Sequence, residues 1–580
     1  MYLPELKSEL QRTTQKTVEF KGINYTDFRQ DGEMRDSLNI SSDNYPTLCP
    51  RKRRTVYRDD LTDATDILSI AGKLAWIDNG YFYYDGESKG QLSEADEHYL
   101  AVITNRVVIM PDKVIYDVQG DSFMQMEASY TVTGNVRFLL ATNDPSEDQT
   151  ITFTRGSGDT TSLQSLFTKG DVLHFANGAV VPANNKAAII KEVGETTLTV
   201  ETSTFVLPPP DEVTPTPTTD SQGHKVYTHS TGLVVVKTSD GETTLQEYYD
   251  EPFVQENDHM RLSRDVPELK YICEYGNRIW GVQNNTIWGS KLGDPFNFEY
   301  FNGLSTDSYT VEVGSQGEFT GVFPYSNQIV FFKETCIHKL FGSKPSAFNL
   351  MTSFAEGVKA GCHKSLAIIN DTIFYLAKSG IMAYTGNLPE LVSSAFGVRK
   401  FVKGIGSDNN WKYAVCLENE FGEHQLMEYD TRRNIWLKVN EENVRSMCYH
   451  LGHLYAIVGS KIYSYDYGEI RERFLWYREF AETNENTLLP KTYSRIYIDA
   501  RGDDDAYITI SIKDTEREWR PVFTGNFAER KSLRIPIIIR NSNVLQLRVE
   551  GEGFVKIHSI AREVTVKGEV RGIRNGVPVE

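Results

Sequence analysis

A chain of 580 residues with 61 basic and 79 acidic side chains carries a formal charge of −18 and an isoelectric point near 5.2. The length allows about three to four domains, each burying its own core, and 40% hydrophobic residues with 43 glycines exclude wholesale disorder. So acidic a chain is excluded as a wrapper of DNA, because neutralising phosphates takes a net basic surface; it remains suited to letting DNA slide past a repelling wall.

Aromatic residues reach 12%, with 31 Tyr and 29 Phe, which favours strands over helices. The six cysteines, Cys49, Cys273, Cys336, Cys362, Cys416 and Cys448, are scattered without a CxxC pair, so neither a disulfide scaffold nor a zinc cluster is expected. Cys273, Cys416 and Cys448 sit in apolar strand-like runs, where a reduced thiol behaves as a small hydrophobe. The opening Met1-Tyr-Leu-Pro-Glu-Leu-Lys7 has no basic stretch leading into an apolar one, so no signal peptide is read. No run approaches the ~18 apolar residues that span a membrane. A soluble protein made in a reducing cytosol, without membrane insertion, is the expectation.

Short alternating runs bounded by Gly, Asn, Asp and Pro dominate the chain, which is the pattern of strands and hairpins. The first repeating run is Ile67 to Gly86, and the second is Tyr99 to Asp117, turning at Asn105-Arg106. Further runs follow at Tyr271–Ser290, Thr320–Gly342, Leu366–Gly386, Lys412–Trp436 and Ser446–Asp466. Their starts are spaced by 49, 46, 46 and 34 residues. Units of this length with several short strands each are β-propeller blades, which bury both faces only by stacking around an axis. An all-β propeller of about six to eight blades is expected over 61–120 and 256–485.

Residues 121–255 break the rhythm. Gly170 to Gly178 and Ala188 to Val200 read as strands of a small β-barrel, followed by the Pro/Thr-rich stretch Leu207 to Pro217, too stiff and polar for a core. The region reads as a domain inserted into a propeller loop, where extension costs little. From about 486 to 580 the texture changes again. Ser494–Ala500, Ala506–Lys513, Arg534–Arg540, Val544–Glu550 and Val555–Ile560 alternate cleanly, which predicts a C-terminal β-sandwich. Residues 1–60 are read as a segment leading into the propeller.

Chemistry-bearing motifs are scarce. There is no GxxxxGK[ST], HExxH or G-x-S-x-G pattern. His450-Leu-Gly-His453 has metal-like spacing but falls in a hairpin turn without a third ligand nearby. No repeated S-x-D-x-G-x-x-W box of the sialidase type is found, and Tyr429-Asp-Thr-Arg-Arg-Asn-Ile-Trp436 matches a kelch blade motif once. With acids this common, choosing two as a glycosidase pair would be arbitrary. The expectation is therefore a protein that is not an enzyme, with no catalytic, cofactor or metal site. Pro50 is followed by the densest basic run, Arg51, Lys52, Arg53 and Arg54, a candidate interaction loop for DNA or an acidic neighbour. Arg501-Gly-Asp503 reads as a hairpin turn.

The stretches Phe20-Lys-Gly-Ile-Asn24 and Asp43-Asn-Tyr-Pro-Thr-Leu-Cys-Pro-Arg51 resemble the opening of bacteriophage virion propellers, the tail-nozzle or packaged-DNA stabilisation proteins of short-tailed phages and their prophage relatives. Gly289-Ser-Lys-Leu-Gly-Asp-Pro-Phe-Asn-Phe298 resembles their blade exit, and Val330 to Gly342 and Ser379 to Gly386 resemble two further blade motifs. The resemblance covers 20–60 and most of 260–470, and the insert at 121–255 departs from it. It implies a virion protein of the tail, assembled in the host cytoplasm, that forms a closed ring of six below the portal and adaptor proteins. It implies distal tail or fibre proteins as further partners, and DNA retained in and released through the ring without sequence-specific binding. An acidic wall suits such a passage, since like charge avoids gripping a polyanion. The alternative is a carbohydrate- or receptor-binding propeller of a tail fibre or cell surface, its aromatics serving as sugar platforms.

Overall fold

The computed structural model describes residues 12–134, 136–141, 148–176, 182–201, 204–205, 218–219, 225–228, 233–237, 246–251, 260–465, 474–504, 506–514, 518–529 and 531–566. The Pro/Thr-rich stretch 207–217 lies outside them.

Among the described residues, seven antiparallel sheets have the four-stranded meander form of a propeller blade. Sheet A is Ala64–Ile70, Lys73–Asp78, Tyr81–Tyr84 and Glu87–Gln91; sheet B is Tyr99–Ile103, Arg106–Met110, Val114–Asp117 and Ser122–Gln125. Sheet C is Lys270–Glu274, Ile279–Gln283, Thr286–Gly289 and Tyr309–Glu312; sheet D is Phe319–Tyr325, Gln328–Lys333, Ile337–Phe341 and Asn349–Ser353. Sheet E is Ala367–Ile369, Thr372–Leu376, Ile381–Tyr384 and Glu390–Leu391; sheet F is Phe401–Asn409, Lys412–Asn419, His424–Asp430 and Ile435–Asn440. Sheet G takes Val444–His450, His453–Val458 and Lys461–Tyr465 from late in the chain and its fourth strand, Arg54–Arg58, from the beginning.

The hairpins at Asn284-Asn285, Ser326-Asn327 and Asn370-Asp371 sit where the turn chemistry predicts, whereas the turn expected at Asn105-Arg106 falls one residue earlier, at Thr104-Asn105, because Ile103 pairs with Arg106. Asn79-Gly80 joins the paired residues Asp78 and Tyr81 with both turn residues at positive φ, the two-residue geometry that matches strand twist. Burial in the second strands identifies the architecture. Lys73–Asp78, Gln328–Lys333, Lys412–Asn419 and their counterparts are buried at nearly every position, not at alternate ones. A strand buried on both faces needs a sheet on either side, which blade stacking supplies. The fold is a β-propeller.

Two compact units divide the chain. In the unit formed by 1–91, 332–337 and 352–580, Phe374 of sheet E stacks on Tyr413 of sheet F with ring centroids 5.3 Å apart. Ala414, Cys416 and Leu426 of F share a core with Val444, Leu454 and Ala456 of G, and Ile457 and Ile462 of G share one with Ile67, Leu74 and Trp76 of A. In the unit formed by 92–331 and 338–351, Val108 and Ile115 of B pack with Ile272 and Ile279 of C, and Trp280 of C packs with Phe319 and Phe331 of D.

Boundaries differ from expectation at three places. Ser122–Gln125 completes sheet B, so the strands that interrupt the propeller begin at Ala128 and end at Arg264. They share a core of their own, with Ile151, Leu173, Leu198 and Leu262 completely buried. Their strand order is open among the described residues, bending at Ala187–Val193, which pairs with a different neighbour on each half. Sheet F starts at Phe401, ahead of the expected Lys412. Gly404 and Gly406 dilute the strand pattern there because a Cβ at Gly406 would lie 2.7 Å from the Ser365 carbonyl oxygen. The C-terminal region is a two-sheet β-sandwich that recruits earlier segments. Arg12–Thr17 pairs with Val555–Val566, and Met34–Leu38 pairs with Leu475–Phe480, which in turn pairs with Leu545–Glu552. Residues 475–480 therefore belong to the sandwich and not to the propeller, and residues 1–60 do more than lead into the first blade. Their partners lie more than 400 positions away, beyond any local pattern.

Candidate functional site

The sequence between Thr17 and Arg58 behaves as a strap, lying within one compact unit and tied alternately to propeller sheets and to the sandwich. At its start the Ile23 amide donates to the Trp436 carbonyl of sheet F at 2.8 Å and the Tyr25 amide to the Ala395 carbonyl at 2.7 Å. Gly22 permits this approach, since a Cβ there would lie 2.8 Å from Ile435 and the Trp436 backbone. On the sandwich side Arg478, buried between the rings of Phe20 and Phe480, donates to the Lys21 carbonyl at 3.2 Å; burial pushes its pKa down to about 9. Asp36 then bridges both sides, accepting from Tyr477 at 2.6 Å while pairing with Lys438 of sheet F at 2.7 Å.

The motif Asp43 to Arg51 is the joint itself. Ile40–Ser41 pairs with Cys49–Pro50, so the residues between form a closed loop. Ser42 donates to Asp430 at 2.6 Å, and Asp43 meets Lys412 at 2.8 Å. Lys412 is buried and also meets Glu428 at 3.1 Å. Desolvation alone would raise the Asp43 carboxyl, but the Lys412 ammonium and the hydrogen bond from Ser41 outweigh it and hold the group below its ordinary range. Facing the sandwich, Asn44 accepts from Lys556 at 2.8 Å, and Leu48 and Ile557 exchange backbone hydrogen bonds of 3.0 and 2.8 Å. Three side chains of this loop thus grip the propeller or the sandwich, and its backbone adds the last rung.

Of the basic run, Arg51 and Arg54 are turned into the protein. Arg51 donates to Asn39 at 2.7 Å and lies 4.1 Å over the Phe474 ring. Arg54 forks onto Glu442, one bond measuring 2.9 Å, and lies 4.0 Å over the Tyr463 ring. Lys52 is exposed and Arg53 half-buried. The run is thus a structural anchor at two of its four positions. The strand Arg54–Arg58 carries the last residue of the run into sheet G, where Arg54 pairs with Tyr465.

The other sequence features also resolve into packing. His450 meets Ser69 at 2.8 Å across from sheet A, and no group of three His, Cys, Asp or Glu is placed to hold a metal among the described residues. In the kelch-like segment Tyr429 and Trp436 lie with ring centroids 4.8 Å apart, and Asp430 accepts from the Arg432 and Arg433 amides of its turn. Arg501 and Gly502 end a strand, and Asp503 is held in the following turn by the Phe554 carbonyl at 3.0 Å. No disulfide joins any of the six cysteines.

A second joint lies in the other unit, at the blade-exit motif, whose sequence does not name its partners. Within Gly289–Phe298, Asn297 accepts from the Val172 amide at 3.1 Å and donates to Asp171 at 3.2 Å. Asp171 is in turn paired with buried Arg264 at 2.6 Å. One residue beyond the motif, Glu299 meets His174 at 2.6 Å. That contact raises the imidazole pKa, and the carboxyl is lowered in return. The blade exit is therefore a bracket for the inserted strands. No helix is long and apolar enough to cross a membrane among the described residues.

No family model and no curated protein matches the chain. Among solved structures it is similar to U3-55K, at 7% identity and TM-score 0.28 over 71% of this chain and 98% of that one. It is similar to Kluyveromyces lactis Hsv2 at 10% identity and TM-score 0.25, over 73% and 95% of the two chains. An exo-β-1,3-galactanase from Phanerochaete chrysosporium matches at 9% identity and TM-score 0.20, over 50% of this chain and 94% of its own. The propeller assignment rests on the seven sheets and their burial.

Proposed function

We propose that the chain is a structural protein of a phage virion, forming a closed ring of six at the tail hub or nozzle below the portal–adaptor proteins. It retains packaged DNA and conducts it at ejection. One observation carries this reading. The segment that resembles the nozzle family, Asp43 to Arg51, is the joint fastening propeller sheets to the sandwich, and its charged groups are spent on that joint. A part that withstands the pressure of packaged DNA needs stiff internal joints, and buried, fully partnered polar networks supply stiffness and a single geometry.

Charge supports the same reading. A subunit of net −18 presents DNA with a repelling environment, so the strand is contained without being gripped. The partners are other copies of the chain, the portal–adaptor proteins and distal tail or fibre proteins, with assembly in the host cytoplasm. The test is negative-stain microscopy of the purified chain, alone and mixed with the portal–adaptor complex of its virion. Closed rings, or added density on the tail side, are expected. Monomers under both conditions, together with binding on a glycan array, would overturn the ring and favour the carbohydrate- or receptor-binding propeller.

A further inference from the structure

One end of the unit containing sheet F carries large apolar side chains that fold stability does not call for. Val398, 97% exposed, precedes the first strand of sheet F, and Val402, 43% exposed, lies within it. Phe401 pairs with Asn419, which places Val402 beside the hairpin tip that carries Phe421, 80% exposed. The neighbouring strap loop adds Phe28, 83% exposed. That loop is held here by the Tyr25–Ala395 hydrogen bond, and a Cβ at Gly397 would lie 3.5 Å from Thr26. Four exposed apolar groups, on three adjoining loops and the strand start next to them, form a patch of the kind that marks a protein interface.

Charge says what covers it. Arg399 and Lys400 are exposed on the central loop and Lys403 at the start of the strand that follows it, and none has an ion-pair partner among the described residues. Arg399 instead lies over the Tyr25 ring at 3.3 Å. The hairpin tip carries the opposite sign, with Glu420 and Glu423, and the strap loop carries both, with Asp27 beside Arg29. A surface holding apolar tips, a basic segment and an acidic hairpin flank is complementary to a second copy of itself. The basic segment of one copy meets the acidic flank of the next, and the apolar tips are buried between them.

We infer that this end of the unit is a self-association surface, with a second copy of the chain as its occupant. The inference deepens the ring reading, on which it rests for the identity of the partner. The test is sedimentation velocity of the full chain over about a hundredfold range of concentration, with three variants. Val398→Asp/Phe421→Asp places carboxylates in the apolar centre, Arg399→Glu/Lys400→Glu/Lys403→Glu reverses the basic segment, and Glu420→Lys/Glu423→Lys reverses the acidic flank. All the substituted side chains are exposed, so the circular dichroism spectrum and melting curve are expected to match the parent.

The parent chain is expected to associate with rising concentration, and each variant alone to associate at least about tenfold more weakly. An equal mixture of the two charge-reversed variants is expected to recover association, which a merely destabilised protein would not do. Parent-like association by the apolar variant, or no recovery in the mixture, overturns the surface; rings then seen by microscopy leave the ring reading standing. A parent chain that stays monomeric throughout also overturns the surface. Rings that form only with the portal–adaptor complex would in that case sustain the ring reading without it.

Discussion

Lys412 is the point at which the strap is most exposed to a single substitution. Its ammonium lies 2.8 Å from Asp43, 3.1 Å from Glu428 and 3.3 Å from Ser41, and its side chain is 6% exposed. Lys412→Met keeps the apolar stem but strands two carboxylates, of which Glu428 is 11% exposed and cannot rehydrate. Removing one partner of a buried pair costs about 3–5 kcal/mol. Asp43 is a quarter exposed and its replacement by Asn keeps an oxygen for the lysine, so Asp43→Asn is expected to cost about 1–2 kcal/mol. Adding Glu428→Met to Lys412→Met removes the stranded charge and is expected to restore most of the loss.

Urea unfolding measures the global effect. Amide exchange at Ile23 and Tyr25, whose N–H groups bond to the rest of the unit, reports release of the strap itself. The pH dependence follows from the directions of the two shifts. Asp43 is depressed, so its contribution is present above the ordinary carboxylate pKa of about 4 and is lost as pH falls through the lower folded value. Lys412 is raised by Glu428 and Asp43 against the cost of burial, so its contribution persists below about pH 10 and is lost as pH rises through the higher folded value. A loss under about 1 kcal/mol for Lys412→Met, or a double variant no better than the single, would refute the buried-pair reasoning.

Three other outcomes follow from the same geometry. Gly22→Ala puts a methyl 2.8 Å from Ile435 and the Trp436 backbone and is expected to speed exchange of the Ile23 amide, at a cost of about 1–3 kcal/mol in unfolding. Arg54→Ala should cost about 2–3 kcal/mol by leaving Glu442 without its fork and Tyr463 without its cation, whereas exposed Lys52→Ala should stay within about 0.5 kcal/mol; equal effects would return the basic run to the surface. The His174–Glu299 bracket is expected to protect the inserted strands best between about pH 4.5 and 6.5. Its imidazole share, from a raised pKa, fades as pH climbs above that window, and its carboxylate share, from a lowered one, fades as pH falls below it. Limited proteolysis across that range, with Glu299→Gln as the control that flattens the profile, is the measurement.

Blade strands and their turns were legible because both are local. Asn79-Gly80 and Asn370-Asp371 take the positive-φ turns that their side chains tolerate, and the apolar runs on either side can only be strands. Continuous burial along each second strand is also written in sequence, as unbroken runs such as Gln328 to Lys333. At Arg51 and Arg54 burial was not legible, because charge density points to solvent, while an arginine over an aromatic ring and hydrogen-bonded to a side-chain oxygen is stable inside. The motif Gly289–Phe298 was visible as a pattern, but its partners Asp171 and Val172 lie more than 120 positions earlier and nothing local names them.

By itself, then, the sequence determined the all-β class, the propeller repeat and the hairpins, since each depends on side chains within a few residues of one another. Tertiary structure decided how the chain is fastened. It brought Arg54–Arg58 to complete the last blade, set Asp43 against Lys412 and Asn44 against Lys556, and gathered Phe28, Val398 and Phe421 at one end of a unit. Those pairings join residues hundreds of positions apart. Their free energy comes from desolvation and geometry that exist only once both partners are in place, and so no local pattern encodes them.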